Sequence, residues 1–288
     1  MMNKKTNRSS LPAGSALVFV GGGKMGEAIL GGWAACEQGL ASSIGAQDMT
    51  VVEPDASRGS YLEERYGVRH VADAGCVTRA DLVVLAVKPQ VMLGVLAGLA
   101  ELPAFAHALF VSIAAGMSTD SLVEALPNGS RLVRVMPNLP LLVGAGATTV
   151  CSSATSTDDD LELVCGLFAC LGQAACIEEG LMDAASALSG SGPAYVAAMI
   201  ECLAETGQKL GLPQGLTQEL LVQTVYGSAC LLKQTGQSPG ELRAAVSSPG
   251  GSTLAALAAM EKAGIGQAYE QGVVAAVQRA KELGTCKA

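Results

Sequence analysis

Short apolar runs alternate with amphipathic stretches through the first 177 residues of the chain. Six runs have the length and composition of buried strands, and they cover residues 16–20, 50–53, 67–71, 81–87, 108–113 and 131–135. Between them, apolar residues recur at helical spacing, as at Met25, Ile29 and Trp33. Strands that alternate with helices form parallel sheets, because right-handed crossovers return the chain to the same sheet edge. The pattern predicts a doubly wound parallel sheet over residues 16–177.

The strand pattern ends near Glu178, and five helical segments follow. They cover residues 185–211, 217–234, 239–246, 252–263 and 266–283. Several are apolar on more than one face, which a domain of about 110 residues cannot bury alone. We therefore predict an all-α domain over residues 178–288 that packs against a second copy of the chain. The basic segment 1–15 is predicted to be a disordered lead, with a short transit-like segment as the alternative.

Composition argues against several other classes of protein. The net charge is −8, so the chain has no general attraction for nucleic acid or for anionic lipid. Residues 135–157 are the longest stretch without Asp, Glu, Lys or Arg, and prolines and glycines interrupt it too often for a membrane helix. The nine cysteines contain no Cys-x-x-Cys pair and predict no metal site. We expect reduced thiols, a cytoplasmic location, and neither a nucleic-acid nor a membrane partner.

A glycine-rich loop directly follows the first predicted strand and opens the first helix. Its sequence, Gly21-Gly22-Gly23-Lys24-Met25-Gly26, fits the G-x-G-x-x-G pattern in the context that this pattern requires. Gly21 permits the tight turn, Gly23 lets the backbone approach a pyrophosphate, and Gly26 allows close helix packing. Free N–H groups of the helix N-terminus would face the phosphates. The loop predicts a dinucleotide site, with a glycine-rich turn that holds no ligand as the alternative.

The ends of other predicted strands extend this site. Glu53 ends the second strand, where an acid accepts hydrogen bonds from the adenosine ribose and repels a 2′-phosphate, which favours NADH. Arg58 lies five residues further on and could instead bind that phosphate of NADPH. The segments Ala86-Val87-Lys88-Pro89 and Ala114-Ala115-Gly116 lie at the carboxyl edge of the sheet, where doubly wound sheets bind ligands. Lys88 either touches the cofactor or is solvated.

A second loop, Ser247-Ser248-Pro249-Gly250-Gly251-Ser252-Thr253, stands directly before a predicted helix. Its free N–H groups could hold a carboxylate, and the Thr253 hydroxyl could donate to a neighbouring substrate heteroatom. An ordinary helix N-cap is the alternative.

The chain resembles pyrroline-5-carboxylate reductases over nearly its whole length. The resemblance runs through residues 19–26, Ala86-Val87-Lys88-Pro89, residues 112–116 and Met136-Pro137-Asn138. It is most specific in Leu188-Ser189-Gly190-Ser191-Gly192-Pro193-Ala194-Tyr195 and in the loop at 247–253. The resemblance implies a Rossmann-like N-terminal domain, an all-α C-terminal dimerisation domain, and reduction of 1-pyrroline-5-carboxylate to L-proline with NADPH or NADH. It also implies a homodimer or a larger homo-oligomer such as a decamer.

The strand ends and the resemblance together give a set of candidate residues. Those for the cofactor are Gly21, Gly23, Lys24, Met25, Gly26, Glu53, Asp73, Ala86, Lys88, Pro89, Ala114, Ala115 and Gly116. Those for the substrate are Ser248, Gly250, Gly251, Ser252 and Thr253, with Thr253 as the catalytic candidate. The chain departs from the family at Leu139, usually Thr, at Glu53, often a small polar residue, and at Asp73, commonly Asn. The last two leave the cofactor preference open.

Two other functions are alternatives to this one. A β-hydroxyacid dehydrogenase would carry a Lys on the helix after the glycine-rich turn at 190–192, and here no Lys occurs before Lys209. A non-catalytic dinucleotide-binding sensor would have no reason to keep the loop at 247–253.

Overall fold

The first structural unit is built on one eight-stranded sheet. A computed structural model describes residues 11–12, 14–127 and 129–285, with side chains described as far as Glu282, so most of the predicted lead lies outside these residues. The strands are β1 (Leu17–Val20), β2 (Met49–Val52), β3 (Arg69–Val71), β4 (Leu82–Leu85), β5 (Leu109–Ser112), β6 (Arg131–Met136), β7 (Gly146–Ser152) and β8 (Gly172–Cys176). Their order is β3-β2-β1-β4-β5-β6-β7-β8. The first six strands are mutually parallel and doubly wound, which confirms the predicted fold class.

Both faces of the sheet are covered, which explains why its central strands are continuous apolar runs. Successive residues of β1 point to opposite faces, and all four are buried. Leu17 and Phe19 belong to one apolar cluster, whereas Val18 and Val20 belong to another. The sheet therefore separates two apolar layers, each packed under its own set of helices.

The helices begin and end where local sequence signals place them. They are α1 (Lys24–Ala34), α2 (Ala56–Tyr66), α3 (Pro89–Ala100), α4 (Thr119–Val123), α5 (Asp158–Ala169), α6 (Met182–Ala185), α7 (Gly192–Lys209), α8 (Gln214–Thr235), α9 (Pro239–Ala245), α10 (Ser252–Lys262) and α11 (Ile265–Thr285). Asp55 caps α2 by accepting from the Ser57 and Arg58 amides, and Gly67 ends that helix in the left-handed region at φ +69°. Thr157 and Asp160 form a capping box at the start of α5.

Trp33 joins α1 to α5. Its indole is fully buried, and its Nε1 donates to the Leu167 carbonyl over 3.1 Å. The ring makes edge contacts with Phe19 and Phe168, each at 5.6 Å between centroids. These contacts fix the distance between the two helices on one face of the sheet.

Two strands of the sheet are not predicted from the sequence. The strand β7 opens with glycine and carries polar and half-exposed positions, and β8 reads Gly-Gln-Ala-Ala-Cys with two exposed residues at its end. Neither has the Val, Ile and Leu run of a buried strand. The strand β7 also pairs antiparallel with β6, in contrast to the parallel pairs of the first six strands.

The second unit consists of helices. The chain divides into one compact unit that holds the described residues up to Ser191 and again from Ala276, and another over Gly192–Ala275. The single helix predicted over 185–211 is interrupted: α6 passes into a π-helical turn, Ser186–Gly190, before α7 begins. Helices α7 and α8 approach closely at Gly207, where a Cβ atom would lie 2.6 Å from Cγ2 of buried Thr217. The domain limits 16–177 and 178–288 stay predictions. None of the helices in the described ranges is long and apolar enough to cross a membrane.

Candidate active site

The glycine-rich loop between β1 and α1 is shaped by close backbone contacts. Gly21 has a φ of +100°, and a Cβ atom there would lie 2.8 Å from the Ala86 carbonyl oxygen. At Gly26 a Cβ atom would lie 2.5 Å from the Gly21 carbonyl oxygen. These two glycines have the structural roles that the sequence predicts for them.

The N-terminus of α1 is open to a ligand. No side chain of the described residues caps the helix at Gly23. No heavy atom of that part of the chain lies within 4 Å of the point where a Cβ of Gly23 would stand. An uncapped helix N-terminus beside a bare backbone position is suited to a pyrophosphate, because its amides and its dipole both attract an anion. The residues present therefore fit a dinucleotide.

The other predicted cofactor residues lie at the same sheet edge. The strand order reverses between β1 and β4, so Gly21 and Ala86 flank the switch point of the sheet, and the Ala86 amide donates to the Val20 carbonyl over 2.9 Å. Lys88 is exposed and precedes Pro89, the first residue of α3. Ala114 is buried just beyond β5, and Gly116 has a φ of +76°.

Glu53 stands directly after β2 at this edge and contacts the glycine-rich loop. Its carboxylate accepts from the Gly22 amide at 2.8 Å and from the Asp55 amide at 3.1 Å. Asp73, two residues beyond β3, accepts from the Gly75 amide at 2.6 Å and so shapes the turn in which it stands. The structure thus brings Glu53 to the glycine-rich loop, while the Asp73 carboxylate is hydrogen-bonded to the backbone of its own turn.

Arg58 is held against the loop by Glu27, a residue that sequence reasoning did not single out. Its Nε donates to the Gly22 carbonyl over 2.6 Å, its guanidinium pairs with Glu27, and it lies 5.1 Å from the centre of the Tyr61 ring. Burial raises the pKa of Glu27, but hydrogen bonds from Arg58, Tyr66 and Tyr61 outweigh burial and keep that pKa below its ordinary value. Glu27 is therefore an anion that occupies Arg58.

A buried amide joins two of the sequence signatures. Asn138, which is 7 % exposed, donates from Nδ2 to the Ser189 carbonyl over 2.9 Å. Its Oδ1 accepts from the Ala147 amide at 2.8 Å. Asn138 thus holds the π-helical turn to the sheet. Asn138 belongs to the segment Met136-Pro137-Asn138 that the resemblance includes, but its partner Ser189 lies 51 residues away in the sequence.

A second polar network, also missed from the sequence, anchors the segment that follows Gly116. Glu179 accepts from the Thr119 amide and hydroxyl, at 2.6 and 2.5 Å, and from Arg134 at 3.1 Å. Arg134 also lies 3.7 Å from Asp183. Burial raises the pKa of Glu179, but these donors outweigh burial and lower it overall. The start of α4 is therefore tied to β6 by a carboxylate.

The predicted substrate loop lies in the second unit, between α9 and α10. Gly250 has a φ of +74°, the Gly251 amide donates to the Ser248 carbonyl over 3.0 Å, and α10 begins at Ser252. No side chain of the described residues caps α10, and Thr253 is half-buried in its first turn. The loop therefore presents uncapped amides beside the Thr253 hydroxyl. Nowhere in the described ranges do three or more His, Cys, Asp or Glu side chains gather into a group that could hold a metal ion.

Comparisons with known proteins cover both units. A family model described as pyrroline-5-carboxylate reductase dimerisation matches residues 179–283, and one described as NADP oxidoreductase, coenzyme F420-dependent, matches residues 16–116. The pyrroline-5-carboxylate reductase of Synechocystis is 39 % identical over 269 residues, which cover 93 % of this chain and 98 % of that protein. The enzyme of the same name from Glycine max is 40 % identical over 95 % of this chain and 98 % of its own length.

Solved structures agree with these relatives. A pyrroline-5-carboxylate reductase from Coxiella burnetii has a TM-score of 0.85 at 34 % identity and covers 94 % of this chain and 99 % of its own. Plasmodium falciparum pyrroline carboxylate reductase, solved with NADP bound, has a TM-score of 0.83 at 31 % identity and covers 95 % and 99 %. With matches of this identity along almost the entire length of both partners, the chain belongs to the pyrroline-5-carboxylate reductase family of oxidoreductases.

Proposed function

We propose that the chain reduces 1-pyrroline-5-carboxylate to L-proline, the last step of proline biosynthesis. The observation that carries the proposal is the match, at 39 and 40 % identity over more than nine-tenths of the chain, to enzymes named for this substrate. The loop at Gly21–Gly26 supports it independently, because its open N-terminus suits a dinucleotide. The reaction adds a hydride to the carbon and a proton to the nitrogen of a cyclic C=N bond.

The chain's own contribution is to bind and to orient. A nicotinamide dinucleotide supplies the hydride when bound. The amides at Gly23, Lys24, Met25 and Gly26 would hold its pyrophosphate, and the small residues at Ala86 and at 114–116 leave room beside the sheet edge for a flat ring. Pro89 and Lys88 border the same edge.

We assign the substrate to the loop at 248–253. The amides of Gly250 and Ser252 would bind its carboxylate, while the Gly251 amide closes the turn onto the Ser248 carbonyl. The Thr253 hydroxyl would donate to the imine nitrogen or to a water beside it, which makes the ring carbon more electrophilic. No His, Lys or carboxylate in this loop is an alternative acid, so we propose that the proton comes from solvent or from a substrate that is already protonated.

The activity is tested by following nicotinamide absorbance with NADH and, separately, with NADPH, each with and without racemic 1-pyrroline-5-carboxylate. Rapid oxidation that depends on the substrate is expected. Cofactor binding without turnover would overturn the proposal and favour a dinucleotide-binding sensor.

Thr253 is tested by replacing it with Ala. We expect kcat to fall about 100-fold with little change in cofactor affinity, because one donor to the reacting group is lost. Thr253→Ser keeps the hydroxyl and should retain most of the activity. Ser247→Ala is the matched control, since the Ser247 hydroxyl already donates to the Arg243 carbonyl over 2.6 Å. Near wild-type turnover in Thr253→Ala would remove the assigned role.

We further propose that NADH is preferred to NADPH. The Glu53 carboxylate at the adenosine end would repel a 2′-phosphate, and the Arg58 guanidinium that could attract one is occupied by Glu27 and by the Gly22 carbonyl. The Plasmodium falciparum relative was solved with NADP bound. We therefore base the proposed preference of this chain for NADH on its own residues.

We propose that the chain works as a homodimer or as a larger ring such as a decamer. Exposed apolar side chains on the second unit support this, among them Leu220, Val222, Tyr226 and Val246. In such an assembly the substrate loop of one subunit would face a cofactor across the intertwined helical domains. A cytoplasmic location is retained as a prediction.

A further inference from the structure

Four cysteines line one cavity that is separate from the glycine-rich loop. The cavity has a volume of about 1370 Å³ and lies between the end of α1, the turn after it, and α5. Cys36, Cys165, Cys170 and Cys176 all border it, and they are free thiols. Low-molecular-weight reagents can therefore reach this group of thiols from solvent.

Cys36 and Cys170 form one of two pairs within this group. Both thiols donate to one acceptor, the Gln38 carbonyl, over 2.8 Å from Cys36 and 3.5 Å from Cys170. The Cys170 thiol is also near enough to Cys36 to raise the pKa of the Cys36 thiol. The turn after α1 lies against the Cys170 sulfur, because a Cβ atom at Gly39 would lie only 2.8 Å from the Cys170 Sγ.

The elements that carry these thiols are already held together. Trp33 and Leu167 stand three residues before Cys36 and Cys170, and the Trp33 indole donates to the Leu167 carbonyl over 3.1 Å. Contact between Trp33 and Phe168 adds to this packing. A bond between the two sulfurs would therefore join segments that need little rearrangement to meet.

We propose that Cys36 and Cys170 are a dithiol site that a low-molecular-weight disulfide oxidises reversibly to an intramolecular disulfide. A Cys170 thiolate attacks one sulfur of the reagent, forms a mixed disulfide and releases one thiolate. A Cys36 thiolate then attacks the Cys170 sulfur and releases the second. The two protein thiols lose two electrons and two protons, and the reagent disulfide is reduced to two thiols.

The order of attack follows from the surroundings of Cys36. Burial and the neighbouring Cys170 thiol raise the pKa of Cys36, and a backbone hydrogen bond at Gln38 offsets only part of this rise. We therefore assign the intermolecular attack to Cys170. The second step occurs within one molecule, where a high effective concentration compensates for a small thiolate fraction.

The other pair supplies an internal comparison. Burial and the Cys176 thiol raise the pKa of Cys165 to about 11, so its thiolate is rare near neutral pH. This rise is larger than that of Cys36, so Cys165 is the poorer resolving thiol, and its pair with Cys176 should stay reduced under conditions that oxidise Cys36 and Cys170.

The test treats the full chain with oxidised glutathione, alkylates the remaining thiols and maps the peptides by mass spectrometry. The expected product is a peptide pair linked through Cys36 and Cys170, with two thiols lost per chain and restored by dithiothreitol. Cys170→Ser should abolish the linked pair, whereas Cys176→Ser, the matched control, should retain it. A linked pair through Cys165 and Cys176, unresolved glutathione adducts, or no linkage would each overturn the proposal.

A second readout does not depend on peptide recovery. Closing a long loop restricts the unfolded chain, so oxidation should raise the Tm of the wild-type protein by about 5 °C. The same treatment should leave the Tm of Cys170→Ser unchanged. Because neither readout uses catalysis, a failure here is distinguishable from a failure of the proposed reductase activity.

Discussion

Glu53 is the residue on which the proposed cofactor preference rests. Replacing it with Ser removes a negative charge at the adenosine end and makes the position resemble the small polar residue common in the family. We expect the ratio of kcat/KM for NADPH to that for NADH to rise about tenfold, which corresponds to about 1.4 kcal/mol of removed repulsion. Steady-state kinetics with both cofactors measure this ratio.

The control is Glu64→Ser, which removes the same charge from an exposed position on α2. It should leave the ratio unchanged. An unchanged ratio in Glu53→Ser as well would mean that Glu53 does not govern the choice of cofactor.

Glu179 carries the second prediction, which concerns pH. The pKa of its carboxyl is lowered in the folded chain from the ordinary value of 4.5, so the charged form stabilises the fold above that pH. This contribution is lost as the pH falls through the lowered pKa. Glu179→Gln should therefore cost about 2 kcal/mol of unfolding free energy at neutral pH, and the difference from wild type should shrink in acid.

Denaturant titrations at several pH values measure this difference. Glu178→Gln is the matched control, because it makes the same change at the exposed neighbouring position. A difference between Glu179→Gln and wild type that stays constant down to acid pH would contradict the assigned role of the carboxylate.

The sequence predicts those residues whose role depends on the local backbone conformation. The pattern predicts a tight turn at Gly21 and close packing at Gly26, and in the structure Gly21 has a φ of +100° and Gly26 lies against the Gly21 carbonyl. The contacts of Asn138 with Ser189 and of Glu179 with Thr119 could not be predicted, because each joins residues more than 50 positions apart. Their partners are set by the packing of the sheet and not by spacing along the chain.

At the scale of elements, the packing of α1 against α5 depends on Trp33. Trp33→Ala deletes a fully buried ring and its hydrogen bond to Leu167, and should lower the unfolding free energy by about 3–5 kcal/mol. Trp33→Phe keeps most of the apolar volume and should cost less. Circular dichroism in urea is the suitable measurement, since Trp33 is the only tryptophan of the chain. Equal losses in the two variants would contradict the packing argument.

Elements with a strong apolar signal were predicted, and those without one were not. The first six strands are within two residues of their predicted limits at each end, because buried parallel strands are continuous apolar runs. The strands β7 and β8 were not predicted, because they lie at an edge of the sheet and carry polar and small residues in place of a continuous apolar run. The π-helical turn escaped because its composition, Ser-Ala-Leu-Ser-Gly, is compatible with an ordinary helix.

At the scale of the whole molecule, the exposed apolar side chains of the second unit predict assembly. Leu220 on α8 is 53 % exposed, and it shares a helical face with Leu216 and Leu231, which are also exposed. Leu220→Asp should shift the assembly toward a single chain of 29.0 kDa, because a buried interface would then contain an unpaired charge. Light scattering after size-exclusion chromatography measures the mass.

Val91→Asp is the control for this charge. Val91 is 52 % exposed on α3, outside the residues that match the dimerisation model, so the change should leave the mass unaltered. A wild-type mass in Leu220→Asp would show that this face does not contribute to assembly.

The glycines of the glycine-rich loop are constrained in two different ways. Gly21 and Gly26 meet backbone atoms of the protein itself, so a side chain at either position would penalise the folded chain before any ligand arrived. Gly23 meets none of the described atoms and has an ordinary φ of −64°, so alanine there would be tolerated by the fold and opposed only by the dinucleotide. Within one six-residue motif, substitutions would thus fail for two reasons: a side chain at Gly21 or Gly26 would lower the abundance of the folded chain, whereas one at Gly23 would affect only catalysis.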